Sequence, residues 1–279
     1  MTRNILLRRL ALIPAFALAV TAAACGEDAT DEDADNDVDA AAEEIDLVNP
    51  GQLTVCTNLP YEPFQFESDG EIVGFDVDLM DLVAERIGVE QELVDIEFDM
   101  IQSGAALNAG QCDVGAAAMT ILPEREENLD FSDPYFDEVL GLMVAQDSDV
   151  TSLDDVREQE LTLGVQAGTT SLDHAEEEGF EPHEFPNAGA QLQALQAGTI
   201  DVALQDLPVV ENNWLENPDI AEQFELAEVI DLDAQYGFGL RKDGNPELLA
   251  VINDVLAEAR DDGTYAEIFE DWFGAPPTE

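Results

Sequence analysis

The sequence predicts an α/β fold with two lobes, each built on a mostly parallel sheet flanked by helices. From about Gln52 to Gly274, short apolar strands alternate with amphipathic helices, a pattern typical of sheets with helices on their faces. The 279 residues are enough for two modest lobes. Two segments also echo each other, because "ALNAGQCDVGAAA" from Ala106 and "ALQAGTIDVALQD" from Ala194 share a helix end, a glycine and an Asp-Val strand start.

Residues 1–24 predict a secretory signal rather than part of the fold. Three arginines precede an apolar stretch from Leu10 to Val20, and small residues precede Cys25, as at a signal cleavage site. Cleavage before Cys25 resembles bacterial lipoprotein processing, in which this cysteine carries the lipid; an ordinary signal peptide is the alternative. We therefore expect an extracytoplasmic protein, lipid-anchored to the outer face of the cell membrane.

Negative charge dominates the composition, with 64 acidic residues, nine basic residues and a formal net charge of −55. Such a chain excludes nucleic acid and anionic membrane surfaces as partners, so the lipid is the only expected attachment to a membrane. Salt screens this self-repulsion, and together with a single lysine, Lys242, the charge predicts a halophilic protein; a merely acidic secreted protein is the alternative. Residues 25–48 are acid-rich and predict a disordered tether. They lack the spacing of a calcium loop, and no metal or cofactor is expected.

The strands and helices of the domain are predicted by apolar segments. The strand candidates are "QLTVCT" from Gln52, "QELVDIEF" from Gln91, "DVGAAAM" from Asp113, "LTLGVQAG" from Leu161 and "DVALQD" from Asp201. In "PELLAVINDVLAEA" from Pro246, apolar residues recur at the 3.6-residue spacing of a helix with one buried stripe. The stripe consists of Leu248, Leu249, Ile252, Val255, Leu256 and Ala259.

The echoed segments predict where a ligand binds. Asp113 and Asp201 open equivalent strands, which place Ala118 and Asp206 at equivalent ends. In open α/β sheets, ligands bind beyond the carboxyl ends of the strands. We therefore expect Arg125, which follows the first strand, to face Asp206 across a cleft. A surface ion pair of Arg125 with neighbouring glutamates and a helix N-cap at Asp206 are the alternatives.

Seven motifs are typical of one known family. The longest is "GFDVDLMDLVAERI" from Gly74, and the others are "PYEPFQF" from Pro60, "MTILPER" from Met119, "DFSDPYF" from Asp130, "GVQAGTTS" from Gly164, "VALQDLP" from Val202 and "DGTYAEIFEDWFG" from Asp262. In order and spacing they resemble the family 3 solute-binding proteins, the extracytoplasmic receptors of polar amino-acid ABC transporters. The resemblance covers essentially the whole mature domain.

This resemblance implies a fold and partners. Two lobes, residues 51–137 with 236–279 and residues 138–235, would be joined by two hinge strands and close on a ligand. The hinge would lie near residues 136–140 and 232–236. The expected partners are a free polar amino acid and the permease and ATPase subunits of an ABC importer, and a monomer is expected.

The resemblance also implies a carboxylate site. Arg125 matches the arginine that clamps the α-carboxylate of the ligand, a task for which a guanidinium fork is suited. Thr120 and Thr170 would add hydroxyl and backbone N–H donors. Thr169 and Thr170 would open a helix whose N-terminus favours an anion, with Ser171 as an alternative cap.

The remaining ligand-binding residues follow from the same resemblance. Asp206, helped by the carbonyl of Ala118, would take the α-ammonium. Tyr61 and Phe98 would pack on the ligand side chain; core burial is the alternative, above all for Phe98.

Ligand choice would rest on Asn58, Gln166 and Gln205. Relatives that bind basic amino acids place an aspartate where this chain has Asn58, which argues against arginine, lysine and histidine. Three uncharged amides favour a neutral polar ligand, with glutamine first and glutamate close behind.

Cys56 and Cys112 are an even pair in an exported protein and predict a disulfide. Their strands would be neighbours, but opposite offsets along the strands could hold the sulfurs apart. Both outcomes stay open.

Two other functions compete with the receptor. A cyclohexadienyl or prephenate-type dehydratase shares the fold and needs a general acid or base in the cleft. Because His174 and His183 lie outside the site motifs, we expect no catalytic residue and no enzyme. A sensing module or a cell-wall lyase would need further domains, and none is expected after Gly274.

Overall fold

The structure of the protein, a computed structural model, describes residues 45–277. The predicted signal, the lipidation site at Cys25 and the tether as far as residue 44 lie outside these residues. Within residues 45–277, no helix combines the length and the apolar character needed to cross a membrane. Two five-stranded sheets organise the described chain.

The first sheet is mixed. Its strands are β1 (Gln52–Thr57), β4 (Glu90–Asp95), β5 (Val114–Gly115), β6 (Leu129–Phe131) and β12 (Gly239–Arg241). In the order β4-β1-β5-β12-β6, β1 pairs in parallel with β4 and β5, whereas β12 runs antiparallel to β5 and β6. A separate hairpin joins β2 (Phe66–Ser68) to β3 (Glu71–Val73).

The second sheet is mixed in the same way. Its strands are β7 (Phe136–Ala145), β8 (Leu163–Gln166), β9 (His183–Phe185), β10 (Val202–Asp206) and β11 (Phe224–Tyr236). In the order β11-β7-β10-β8-β9, β8 pairs in parallel with β9 and β10, and β7 runs antiparallel to β10 and β11. Each sheet therefore joins two parallel pairings to two antiparallel ones.

Helices cover both sheets. The helices of the first lobe are α1 (Phe75–Arg86), α2 (Phe98–Gln102), α3 (Ala105–Asn108), α4 (Pro123–Glu126), α10 (Pro246–Asp262) and α11 (Thr264–Phe273). The helices of the second lobe are α5 (Leu153–Glu158), α6 (Thr170–Glu177), α7 (Ala188–Gln196), α8 (Leu207–Val209), a π-helical turn (Val210–Trp214) and α9 (Pro218–Ala221). In α10 the predicted stripe is buried, apart from a partly buried Leu249 that packs on the same core.

Two strands cross between the sheets and connect the lobes. β7 and β11 pair antiparallel, with Phe136 opposite Tyr236 at one end and Ala145 opposite Phe224 at the other. The β11 end is also tied to the first lobe, because Ile121 N–H donates to the carbonyl of Gln235 at 2.8 Å. This arrangement places the segment before α4 directly beside a crossing strand.

Four of the five predicted strands are shorter than expected, above all β5 and β4. β5 contains only two residues, and the chain after it leaves the extended conformation, with Ala118 in a left-handed backbone with φ of 47°. β4 stops at Asp95, and Phe98 begins α2. After β4 the chain is partly exposed at Ile96 and exposed at Glu97, whereas residues 116–118 after β5 are buried.

The N-terminal residues that are described pack on the first lobe. Ile45 and Leu47 lie against its core, and Val48 N–H donates to Asp113 Oδ1 at 2.7 Å. The last residues of the expected tether are therefore part of the folded domain. Cys56 of β1 forms a disulfide with Cys112, just ahead of β5.

Candidate ligand-binding site

A cavity lies between the two lobes. Ten of the residues expected to bind a ligand line it, and Gln65 and Ala117 complete the lining. The ten are Asn58, Tyr61, Phe98, Ala118, Thr120 and Arg125 from the first lobe and Gln166, Thr169, Thr170 and Asp206 from the second. The fold thus brings together residues from six separate segments of the chain.

Arg125 is a buried cation, with 3% of its surface exposed. It lies on the single-turn helix α4, and its guanidinium donates to the carbonyls of Thr120 at 3.0 Å and Gly168 at 2.9 Å. Its centre is 5.5 Å from the ring of Phe98, within reach of a cation-π interaction. No carboxylate of residues 45–277 lies within 4.0 Å of this guanidinium. The alternative of a surface ion pair with neighbouring glutamates is therefore wrong.

Burial lowers the pKa of Arg125, and Glu138 and Asp173 are the first of the nearby carboxylates that oppose the shift. A buried charge without a directly paired opposite charge is expensive. Two of the five N–H groups of a guanidinium donate to protein carbonyls here, and others are left to bind an anion. The site is therefore suited to a carboxylate.

Asp206 ends β10 and is the carboxylate among the cavity-lining residues described. It is 3% exposed, and its Oδ2 accepts a hydrogen bond from the hydroxyl of Tyr236. Burial raises the pKa of Asp206, whereas hydrogen bonds from Tyr236 and Tyr61 and the charge of Arg125 lower it. Asp206 occupies the N-cap position of α8, as the alternative predicted, but its side chain makes no capping hydrogen bond there.

A buried carboxylate behind the cavity holds Ala118 in its left-handed conformation. Asp76 Oδ2 accepts from the N–H of Ala118 at 2.8 Å, and Oδ1 accepts from the hydroxyl of Tyr135 at 2.7 Å. Burial raises the pKa of Asp76 to about 7, although both hydrogen bonds act in the opposite direction. Asp76 thus fixes the backbone at the end of the short β5.

The two threonines at the start of α6 use their hydroxyls within the protein. Thr169 Oγ1 donates to the carbonyl of Gln166 at 2.8 Å, and Thr170 Oγ1 donates to Glu138 Oε1. Ser171 Oγ is buried without a hydrogen-bond partner in the described chain. The expected hydroxyl donation from Thr170 to a ligand is therefore not what the structure shows, and the backbone N–H groups at the helix start are left for an anion.

Gln205 does not line the cavity, contrary to its expected part in ligand choice. Its Nε2 donates to Gln191 Oε1 at 2.9 Å, and its Oε1 accepts from the hydroxyl of Tyr61 and the N–H of Asp206, each at 2.8 Å. Gln191 in turn donates to two backbone carbonyls of the second sheet. Gln205 therefore positions Tyr61 and Asp206 instead of meeting a ligand.

Asn58 and Gln166 join the lobes at the other end of the cavity. Asn58 Nδ2 donates to the carbonyl of Ile96 at 2.9 Å, so its Oδ1 is the atom that accepts from Gln166 Nε2 at 3.1 Å. Because Gln166 uses its Nε2 as a donor to Asn58, its Oε1 is buried without a hydrogen-bond partner among the described residues. Gln65 Oε1 also lacks a partner there. Two acceptors of the cavity wall thus lack donors, which is costly unless a ligand supplies them.

The chain matches the bacterial extracellular solute-binding proteins, family 3, over residues 53–275. It belongs to this family. The match spans nearly all of the described residues, as the motifs indicated.

Similar proteins in the family bind different amino acids. The arginine-binding extracellular protein ArtP of Bacillus subtilis is 29% identical over 226 residues, which cover 80% of this chain and 86% of ArtP. The ABC transporter glutamine-binding protein GlnH of Bacillus subtilis is 31% identical over 277 residues, covering 97% and 98%. The solved structure of an ancestral arginine-binding protein bound to glutamine has a TM-score of 0.73 and 37% identity, covering 80% of this chain and 98% of that one. The two-lobed fold of the family is therefore shown.

In this solute-binding protein the lobes touch closely across the cavity. Hydrogen bonds cross between them, among them those of Tyr61 to Gln205, of Gln166 to Asn58, and of Arg125 to the carbonyl of Gly168. A Cβ atom on Gly168, which has φ of +71°, would lie 2.0 Å from Asp99 Oδ1 of the first lobe. The structure therefore shows the two lobes in a closed arrangement.

Sequence reasoning missed four residues of or around the site: Gln65, Asp76, Glu138 and Gln191. Asp76 and Gln191 are polar residues at buried positions of α1 and α7, a pattern that could have marked them. Nothing in the sequence distinguished Glu138 from the many exposed acids.

Proposed function

We propose that this protein is a lipid-anchored extracytoplasmic receptor that closes on free glutamine and delivers it to an ABC importer. The observation that carries the proposal is the pair of buried, opposite charges in one cavity. Arg125 and Asp206 are each 3% exposed and line it from different lobes. An amino acid that bridges them stabilises the closed arrangement by its differential affinity for it.

Both charges are used by the groups common to all amino acids. The α-carboxylate pairs with Arg125 and with the N-terminus of α6, which begins at Thr170. The α-ammonium pairs with Asp206. Among the cavity-lining residues described, Arg125 and Asp206 are the charged ones, so the ligand side chain meets neutral walls.

The acceptors in those walls favour a carboxamide. Gln166 Oε1 and Gln65 Oε1 lack donors among the described residues, and the NH₂ group of glutamine supplies two. The side-chain carboxylate of glutamate supplies none and would need a second cation. Tyr61 and Phe98 line the same cavity and offer apolar surface to the methylene groups. Glutamine therefore fits better than glutamate.

Isothermal titration calorimetry of the mature chain in molar NaCl tests this assignment. Titrations with glutamine, glutamate, arginine, histidine and cystine rank the ligands directly. We expect glutamine to bind tightest and glutamate at least about tenfold more weakly, as for a site that leaves buried polar groups unpaired. Tightest binding of arginine would refute the ligand but keep the receptor, and binding of no amino acid would refute both.

The anchor is a separate part of the proposal. Cys25 would carry the lipid, and the acidic segment would connect it to the domain. We expect Cys25→Ser to move the protein from the membrane fraction to the medium without a change in glutamine affinity. Mass spectrometry of the N-terminal peptide checks the lipid, and an unmodified Cys25 in the membrane fraction would contradict it.

A prephenate-type dehydratase is a second candidate, favoured by a single observation. Glu138 is a buried carboxyl group near the cleft whose pKa is raised by burial, as a general acid requires. Glu138 does not line the cavity, however, so the receptor is the better proposal. Incubation with prephenate decides, because turnover above the uncatalysed rate would establish the enzyme.

A further inference from the structure

Glu138 is a buried carboxylate at the crossing between the lobes. It is the third residue of β7 and is 1% exposed. Its Oε1 accepts the hydrogen bond from Thr170 Oγ1, and its Oε2 is buried without a hydrogen-bond partner in the described part of the chain. Glu138 belongs to the second lobe, and the position of the first lobe, which carries Arg125 and Tyr61, determines part of its surroundings.

Charged and titratable groups from four elements face Glu138. Asp206 on β10 repels its negative charge, and Arg125 on α4 attracts it. Tyr236 on β11 and Tyr61 in the loop after β1 complete the set, and burial raises the pKa of both. Glu138 and Asp206 are therefore two carboxyl groups in one low-dielectric region with one cation between the lobes.

Burial and then Asp206 raise the pKa of Glu138 to about 7, whereas the hydroxyls of Thr170 and Thr120 and the charge of Arg125 act in the opposite direction. A bound amino acid sharpens this imbalance. Its ammonium favours the ionised form of Asp206, and its carboxylate takes up the charge of Arg125. An ionised Glu138 would then be a buried charge without compensation.

We propose that Glu138 is a positioning residue that takes up a proton when the cleft closes on its ligand, so that ligand affinity depends on pH. In the neutral form, Oε1 keeps its hydrogen bond from Thr170 and holds the start of α6 against β7. This inference rests on the proposed function, because it is the bound amino acid that completes the closed cleft.

The direction of the dependence follows from the two states. The proposal requires that water reaches Glu138 when the cleft opens, which lowers its pKa from about 7 in the closed cleft toward the ordinary value of 4.5. The closed state therefore binds more protons, and affinity falls as the pH rises from about 4.5 to about 7. Above that window the affinity levels off.

Calorimetry of the mature chain with glutamine at pH 5.5, 6.0, 7.0 and 8.0 in molar NaCl tests the proposal, with arginine as the second probe. Titration at pH 6.0 in two buffers with different ionisation enthalpies measures the protons bound. We expect roughly 10- to 30-fold tighter binding at pH 5.5 than at pH 8.0 and uptake of close to one proton at pH 6.0.

Glu138→Gln mimics the neutral acid and removes the titration. We expect this variant to bind at pH 5.5 about as tightly as the wild type, to keep that affinity at pH 8.0, and to take up no proton. Asp137→Asn is the matched control, because Asp137 is the neighbouring residue of β7 but is exposed. The control should keep the wild-type pH dependence.

The outcomes separate this inference from the proposed function. Binding without proton uptake, or a Glu138→Gln variant with the wild-type pH dependence, overturns the role of Glu138 and leaves the receptor in place. Binding of neither probe at any pH overturns both. If Glu138→Gln does not fold, proton uptake by the wild type at pH 6.0 still decides.

Discussion

The strand end at Ala118 and the strand end at Asp206 come from the same sequence pattern, yet they offer a ligand different groups. β5 ends after two residues, and three residues further on the left-handed Ala118 donates its backbone N–H to Asp76. β10 stays regular for five residues and ends on Asp206, whose backbone N–H donates to the side chain of Gln205. At equivalent positions, the first lobe thus offers a ligand backbone groups at Ala118, and the second lobe offers the carboxylate of Asp206. A buried polar residue, Asp76 in the first lobe and Gln205 in the second, supports each position.

The largest expected effect comes from removing either charge of the cavity. Arg125→Ala or Asp206→Ala should weaken glutamine binding by about 2 to 5 kcal/mol, roughly thirtyfold to several-thousand-fold, because the remaining charge is left buried and unpaired. Calorimetry measures the loss. Glu124→Gln is the control, since Glu124 is the exposed neighbour of Arg125. Unchanged affinity in either alanine variant would remove that residue from the site.

The second largest effect is expected from removing Asp76, the carboxylate that accepts a hydrogen bond from the N–H of Ala118. Asp76→Ala leaves the N–H of Ala118 and the hydroxyl of Tyr135 without their acceptor, so the free energy of unfolding should fall by about 1 to 3 kcal/mol. We expect glutamine affinity to fall as well, by about tenfold, because the end of β5 is no longer fixed. Thermal melts and calorimetry give the two values, and a loss of stability with wild-type affinity would show that Asp76 serves the core alone.

The pH dependence of Asp76→Asn separates charge from shape at the same position. The pKa of Asp76 is raised to about 7 from its ordinary value of 3.8, so the wild type loses stability as the pH rises between these values. Asparagine does not titrate, and the variant should lose less stability over this range. An identical pH profile of melting temperature in both proteins would contradict a buried carboxyl group at this position.

The support behind Asp206 gives the smallest expected effect. Gln191→Leu removes the link between the second sheet and Gln205, which keeps its bonds to Tyr61 and Asp206 but can move. We expect a fewfold loss of glutamine affinity and a loss of about 1 to 2 kcal/mol in stability. Gln193→Leu, on the same helix but exposed, is the control. A larger loss of affinity than in Asp76→Ala would reverse the order of the two supports.

Much of the cavity was predictable because its residues follow motifs at strand ends and helix starts. Asp206 was located by counting from a strand-opening aspartate and Arg125 as the cation that follows the equivalent strand, and both line the cavity. The predictions failed where two side chains had a choice of partner. Thr170 turns its hydroxyl to Glu138, and Gln205 turns to Gln191, and neither choice is visible before the lobes are packed.

The sequence by itself determined the family through the resemblance of its motifs. It determined the alternation of strands and helices and the residue types at the strand ends because these depend on local spacing and apolar periodicity. Only the tertiary structure decided which polar groups are buried together. Glu138 is one acid among 64 in the sequence and becomes distinct through its burial beside Asp206 and Thr170 of its own lobe and Arg125 of the other lobe. The reason is physical: burial and neighbouring charge determine the proton affinity of a carboxyl group, and both are properties of the packed molecule.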